Sequence, residues 1–188
     1  MTTSVNVPSP LSAARSPITR PEAGEHSPYY SRYIDRVPDG DVIALLQEQM
    51  KDTVALLNGV PADRADFAYA PDKWTIKEVV GHICDTERVM SYRALRFARN
   101  DPTALASFDE NLYVPNAKFG NRTLGDLVEE LQAVRASTIQ FAKHLDAEAA
   151  ARGGNASGQP VSVRALIYII AGHERHHVAL LRERYLAQ

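Results

Sequence analysis

Residues 162–186 carry apolar side chains at helical spacing, Leu166, Ile169, Ile170 and Leu180, and place His173 and His177 on that same face. At 100° per residue the two histidines are about 40° apart and one turn separated. A helix that buries this face therefore buries two imidazoles. Neutral imidazole is costly to bury without partners, and two protonated rings would repel. Either the pair is hydrogen-bonded to neighbouring backbone or carboxylates, or it shares a metal ion. Any fold for this chain must supply one or the other.

Three more stretches read as amphipathic helices. The first runs from about Asp41 to Leu57, with Val42, Leu45, Leu46, Val54 and Leu57 as an interrupted stripe ended by Gly59 and Pro61. The second runs from about Thr75 to Arg99. Its Thr75 and Glu78 form a T-x-x-E capping box, and Trp74 is placed to pack on Val79 as a hydrophobic staple. The third runs from about Leu124 to Leu145, capped by Thr123, with Leu127, Leu131, Val134, Thr138 and Phe141 on one face. Gly153, Gly154, Asn155 and Gly158 mark a loop before the fourth helix, which Ser162 caps. No stretch alternates with period two for long enough to predict a strand.

Four such helices predict an all-α, four-helix bundle. The Asn100–Arg122 connection is long for a hairpin between neighbours. It reads as a crossover that lets helices two and three run in the same direction, with room for a short helix inside it. Residues 1–27, rich in Ser, Thr and Pro, predict an irregular N-terminal arm, and residues 28–188 the bundle domain.

The 188 residues carry 21 Lys+Arg against 23 Asp+Glu, a net charge of −2 that argues against a generally basic nucleic-acid binder. Cys84 stands alone, so neither an intrachain disulfide nor a Cys₂His₂ zinc site can form. With no apolar run of membrane-spanning length and no signal-peptide core after Met1, the expectation is a soluble cytoplasmic protein with no membrane partner.

His82 sits in the stripe Thr75, Val79, Thr86 and Val89 of the second helix, a third imidazole at a core position. It lies about 10 Å from its helix start, and His177 about 13 Å from its helix end. These heights coincide within a turn if helices two and four are antiparallel, and miss by roughly two turns if they are parallel. The segment His173-Glu174-Arg175-His176-His177 also spells H-E-x-x-H, the zinc-protease pattern. A protease would need a third ligand downstream, and no histidine follows His177. Glu174, 100° round from His173, is expected to face solvent or a neighbouring helix.

The blocks Lys73-Trp74-Thr75 and Gly81-His82-Ile83-Cys84-Asp85-Thr86-Glu87, together with residues 171–185, resemble the DinB/YfiT family of metal-binding four-helix bundles. Tyr29-Tyr30, Tyr33-Ile34 and Val37-Pro38-Asp39-Gly40-Asp41 resemble that family's opening. The resemblance implies an up-down-down-up bundle, a homodimer, and a divalent metal held by His82, His173 and His177. Relatives with known reactions include transferases and isomerases that use a low-molecular-weight thiol such as bacillithiol, mycothiol or glutathione.

Three neutral nitrogen ligands leave coordination positions open, as in catalytic sites, and nitrogen-rich sites suit Zn²⁺ or Ni²⁺. The leading expectation is a metal-dependent transferase acting on an electrophilic small molecule with such a thiol. The alternatives are a metal-dependent hydrolase and a non-catalytic metal-binding stress or scaffold protein. Asp85, one turn after His82, could accept a hydrogen bond from an imidazole or pair with Arg175 or Arg182. Cys84 is expected to be a buried or interface thiol, Arg93, Arg96 and Arg99 a solvated or interface face, and Tyr113 a cover for the site mouth.

Overall fold

A computed structural model of the chain describes residues 16–187. Four long helices dominate it: α1 (Val42–Asn58), α2 (Ile76–Ala98), α3 (Leu124–Ala142) and α4 (Val163–Leu180). Each begins where a polar side chain takes over an otherwise unpaired backbone N–H. Asp41 accepts from Ile43, Thr75 from Glu78, Thr123 from Asp126 and Ser162 from Ala165. The Thr75–Glu78 box is complete in both directions. A wider π turn, Leu181–Tyr185, continues α4.

The tertiary pairings fix the directions. Tyr185 Oη donates to the carbonyl of Trp74 at 2.7 Å, which ties the end of α4 to the start of α2 and makes the two antiparallel. Gln49 and Thr53 of α1 bond Glu174 of α4, while Leu46 of α1 accepts from Arg135 of α3. One apolar cluster gathers Val42 and Leu46 with the start of α4, Phe97 and Ala142; the other gathers Leu57, Ile76, Leu127 and Leu181. The starts of α2 and α3 thus share one end of the bundle with the ends of α1 and α4. The order is up-down-down-up, as the long crossover requires. Among the described residues, no helix is long and apolar enough to cross a membrane.

Three segments depart from the sequence expectation or refine it. Residues 153–162 are not a plain loop: β1 (Gly153–Ala156) pairs antiparallel with β2 (Gln159–Ser162). The strands have four residues each, and β2 contains Pro160, so period-two alternation has no length in which to show. The crossover holds a short helix, Glu110–Ala117, and a 3₁₀ turn, Phe119–Asn121. Phe119 is buried against Gly81 of α2, where a Cβ would stand 2.4 Å from the ring. Of the expected arm, residues 1–15 lie outside the described residues. Residues 16–27 form no helix or strand, and they lie on the bundle. Ile18 is buried, Arg20 donates to the carbonyls of Ile34 and Val37, and Glu25 accepts from Ser162 Oγ at 2.6 Å and pairs with Arg164.

Helical turns Pro28–Tyr30 and Ser31–Ile34 then bring Tyr33 against α4, where its ring meets His173 and His176. Gly172 makes this approach possible. A Cβ there would lie 2.0 Å from the Tyr33 carbonyl oxygen, far inside contact distance. A glycine that would weaken an exposed helix is therefore needed at this crossing.

Candidate metal centre

α2 and α4 bring His82, His173 and His177 together at one level. His82 Nε2 stands 3.0 Å from His173 Nε2, and His177 Nε2 stands 3.1 Å from the same atom. One ring nitrogen from each of the three lies within 4.8 Å of the others. All three side chains are buried. Trp74 packs its ring on His82, centroids 4.7 Å apart. Tyr33 sits edge-on to His173 at 5.3 Å, and His176 lies between Tyr33 and His177.

Burial lowers the basicity of all three rings. The His82 imidazole is pushed down to about 4 and that of His177 to about 3. His173 falls well below its ordinary value, first by burial and then by the neighbouring imidazoles. The rings are neutral at physiological pH, the form that ligates metals.

Nitrogen chemistry favours an ion over mutual hydrogen bonding. Each neutral imidazole nitrogen offers one proton or one lone pair. His173 Nε2 faces two such nitrogens at once, and cannot form a linear bond with both. Two nitrogens each about 2.0–2.1 Å from a zinc-sized ion, at angles between square and tetrahedral, stand about 2.9–3.4 Å apart. The observed 3.0 and 3.1 Å fall in that interval. The residues therefore fit a divalent cation. One feature departs from the usual pattern: His177 Nδ1 is buried with no hydrogen-bond partner among the described residues, where metal-bound histidines ordinarily donate.

A cavity of about 240 Å³ opens beside the rings. His82, Thr86 and Met90 line it from successive turns of α2, and Ile169 and His173 from α4. Its remaining wall comes from Tyr29, Tyr30 and Tyr33, from Phe108 and Glu110 of the crossover, and from Ser157 of the hairpin turn. A larger cleft of about 400 Å³ is walled by Lys77 and Arg122 among others, contains no imidazole, and has both cations already paired.

Several expected roles change. Asp85 does not reach the imidazoles; its carboxylate lies 3.7 Å from Arg88 of the same helix, about 60° round from the His82 face. Tyr113 is exposed and packs on Phe108, and it is Phe108 that lines the cavity. Arg93 is buried rather than solvated. It donates to the Ala106 carbonyl at 2.8 Å and to Ser157 Oγ at 3.0 Å, and so pins the crossover to the hairpin. Cys84 is buried, and burial pushes its thiol far above the reactive range.

Glu174 turns inward. It is fully buried, accepts from Thr53 Oγ1 at 2.6 Å and Arg135 Nη2 at 2.6 Å, and also accepts from Gln49. Arg135 in turn holds Glu87 through two bonds of 2.9 and 2.8 Å. This network joins all four helices and escaped the sequence reading. A literal H-E-x-x-H match was its only signal, and it pointed to the wrong chemistry. Glu174 is committed to the core and is no general base.

Residues 45–181 match the DinB superfamily. No curated protein matches the chain. Among solved structures, YfiT from Bacillus subtilis, described as a probable metal-dependent hydrolase with an unusual four-helix bundle topology, has a similar fold. The TM-score is 0.67 at 16% identity, with 89% of this chain and 91% of that one covered.

Proposed function

This chain belongs to the DinB superfamily, and on that footing we propose that it is a metal-dependent enzyme acting on a small molecule, with His82, His173 and His177 as the ligands of a divalent ion, zinc or nickel. The observation that carries this reading is the convergence of three neutral imidazole nitrogens, two of them from rings, His82 and His173, that line a guest-sized cavity. A structural metal site has no use for an adjoining cavity. Held by these three histidines, such an ion would supply Lewis acidity toward a thiol or water.

The chain's own residues do the rest. Met90, Phe108 and Ile169 exclude water from one side of the cavity, and Tyr33 holds the rings of His173 and His176 in place. Burial pushes the Tyr33 phenol up to about 12, so it stays protonated and can donate to a guest. Neither Glu174 nor Asp85 can take a proton from a nucleophile at the rings, since both are paired elsewhere. Glu110 stands in the cavity wall, and we take the nucleophile to be acidic enough to ionise without it, as in the transfer of a low-molecular-weight thiol to an electrophile. The same reading takes the protein to be a cytoplasmic homodimer, with exposed Tyr92 and Leu95 of α2 as an apolar patch for contact.

The test mixes the metal-loaded protein with bacillithiol, mycothiol or glutathione and a chromogenic electrophile. The expected result is a rate above that of the metal-free protein, lost in His173→Ala. No rate for any thiol would count against the transferase. One observation favours a hydrolase as second reading: Glu110 places a carboxylate in the cavity wall. Turnover of ester or amide substrates without thiol, lost in Glu110→Gln, would decide for it.

A further inference from the structure

The cavity beside the imidazoles contains one buried polar group that nothing in the fold uses. Thr86 follows His82 by one helical turn, is 3% exposed, lines the cavity, and its Oγ1 has no hydrogen-bond partner among the described residues. Helical threonines commonly bond the carbonyl one turn back; this one does not. A buried hydroxyl without a partner is less stable than an apolar group of the same shape. Ser157 Oγ and Tyr33 Oη, in the same wall, each already have a partner: Ser157 accepts from Arg93, and Tyr33 accepts from Arg32 at 3.1 Å. Thr86 Oγ1 has none, one helical turn from His82.

The geometry points to Thr86 as a ligand-binding residue, whose hydroxyl hydrogen-bonds a guest that reaches the histidine nitrogens with its other end. This rests on the metal-centre reading above. It also narrows the ligand class. The cavity holds about eight waters' worth of liquid at ~30 Å³ each, so the guest is small. Four residues, a rise of about 6 Å, separate the His82 and Thr86 positions. The guest class that fits carries a metal-seeking donor at one end and, about one helical turn along, a polar group that a hydroxyl can bond, such as an amide. Its apolar part lies against Met90, Phe108 and Ile169.

The test titrates the Co²⁺-loaded full chain with N-acetylcysteamine, which has a thiol and an amide at this spacing, and with 1-hexanethiol, which lacks the amide. Binding is read from the cobalt absorption bands. The wild type is expected to prefer the amide thiol, and Thr86→Val to reduce that preference by about tenfold, as does Thr86→Ala. Thr86→Val should leave Co²⁺ affinity unchanged and raise Tm by roughly 2–4 °C, since it removes an unpaired hydroxyl. Equal preference in wild type and Thr86→Val would overturn the assignment and leave Thr86 as a packing residue. A cobalt spectrum that neither thiol perturbs also overturns it, with the metal reading intact. Failure of the wild type to bind Co²⁺ overturns both.

Discussion

Replacing Arg135 by methionine removes the buried cation that bridges Glu87 and Glu174 while roughly preserving its volume. The guanidinium is 1% exposed and its partners Glu87 and Glu174 are 2% and 0% exposed. It makes three charge-assisted bonds to the two carboxylates, and each such bond is worth about 1.5–3 kcal/mol. Neither carboxylate can turn to water once the arginine is gone. Breaking a buried pair by deleting one partner typically costs about 3–5 kcal/mol, and two stranded carboxylates place this site at the upper end. For a domain of this size 1 kcal/mol shifts Tm by about 2–4 °C, so a fall of roughly 10–20 °C is expected. Thermal and urea unfolding at pH 7, followed by helical circular dichroism, measure it. The triple change Arg135→Met, Glu87→Gln, Glu174→Gln should recover most of the loss, because it removes the stranded charges. A loss below about 1 kcal/mol for Arg135→Met alone, the worth of an exposed ion pair, would mean that the two carboxylates are not stranded in the core.

Three further outcomes follow from the same geometry. Gly172→Ala would normally stabilise a helix by about 1 kcal/mol, yet its Cβ meets the Tyr33 carbonyl at 2.0 Å, so a loss of about 1–3 kcal/mol is expected in urea unfolding; a gain would contradict the close crossing. Thr75→Ala removes the cap of the helix that carries His82 and should cost about 1 kcal/mol, read as a lowered urea midpoint at unchanged slope. The metal-free protein should lose stability in acid in two windows. The histidines have folded pKa values below their unfolded value near 6.5, so their contribution is complete above about pH 6.5 and falls away toward about 4 and 3, by at most about 1.4 kcal/mol per pH unit per group. Glu25, held down to about 2 chiefly by Arg164, acts only below its ordinary 4.5. A flat profile from pH 7 to 5 would contradict the burial of the rings.

What could be read from the sequence was whatever has a local signature. Thr75, Thr123 and Ser162 mark helix starts because capping needs a short polar side chain beside the first turn. His82, His173 and His177 announce themselves because each interrupts an apolar stripe, and simple rise per residue places them at one level. The length of the Asn100–Arg122 connection indicates two parallel neighbours. The buried network has no such signature. Its pairs lie 48 and 39 residues apart, and no spacing within one helix says which charge on another helix will meet Glu87, Arg135 or Glu174. Only packing of four helices shows that their charges satisfy one another. Asp85 illustrates the reverse error: an angle of about 60° from His82 allowed a contact with the rings, but the nearer Arg88 takes the carboxylate. The hairpin at residues 153–162 is held by two four-residue strands against the bundle, too short to impose a pattern.

If three imidazoles from two antiparallel helices hold one divalent ion, equilibrium dialysis against Zn²⁺, with metal content measured per chain, will show it. One tightly held ion per chain is expected in the wild type, with its loss in His82→Ala, His173→Ala and His177→Ala alike, while His176→Ala retains it. Retention of the ion by any of the three single-alanine variants at wild-type affinity, or no bound ion in the wild type, would contradict the three-histidine site.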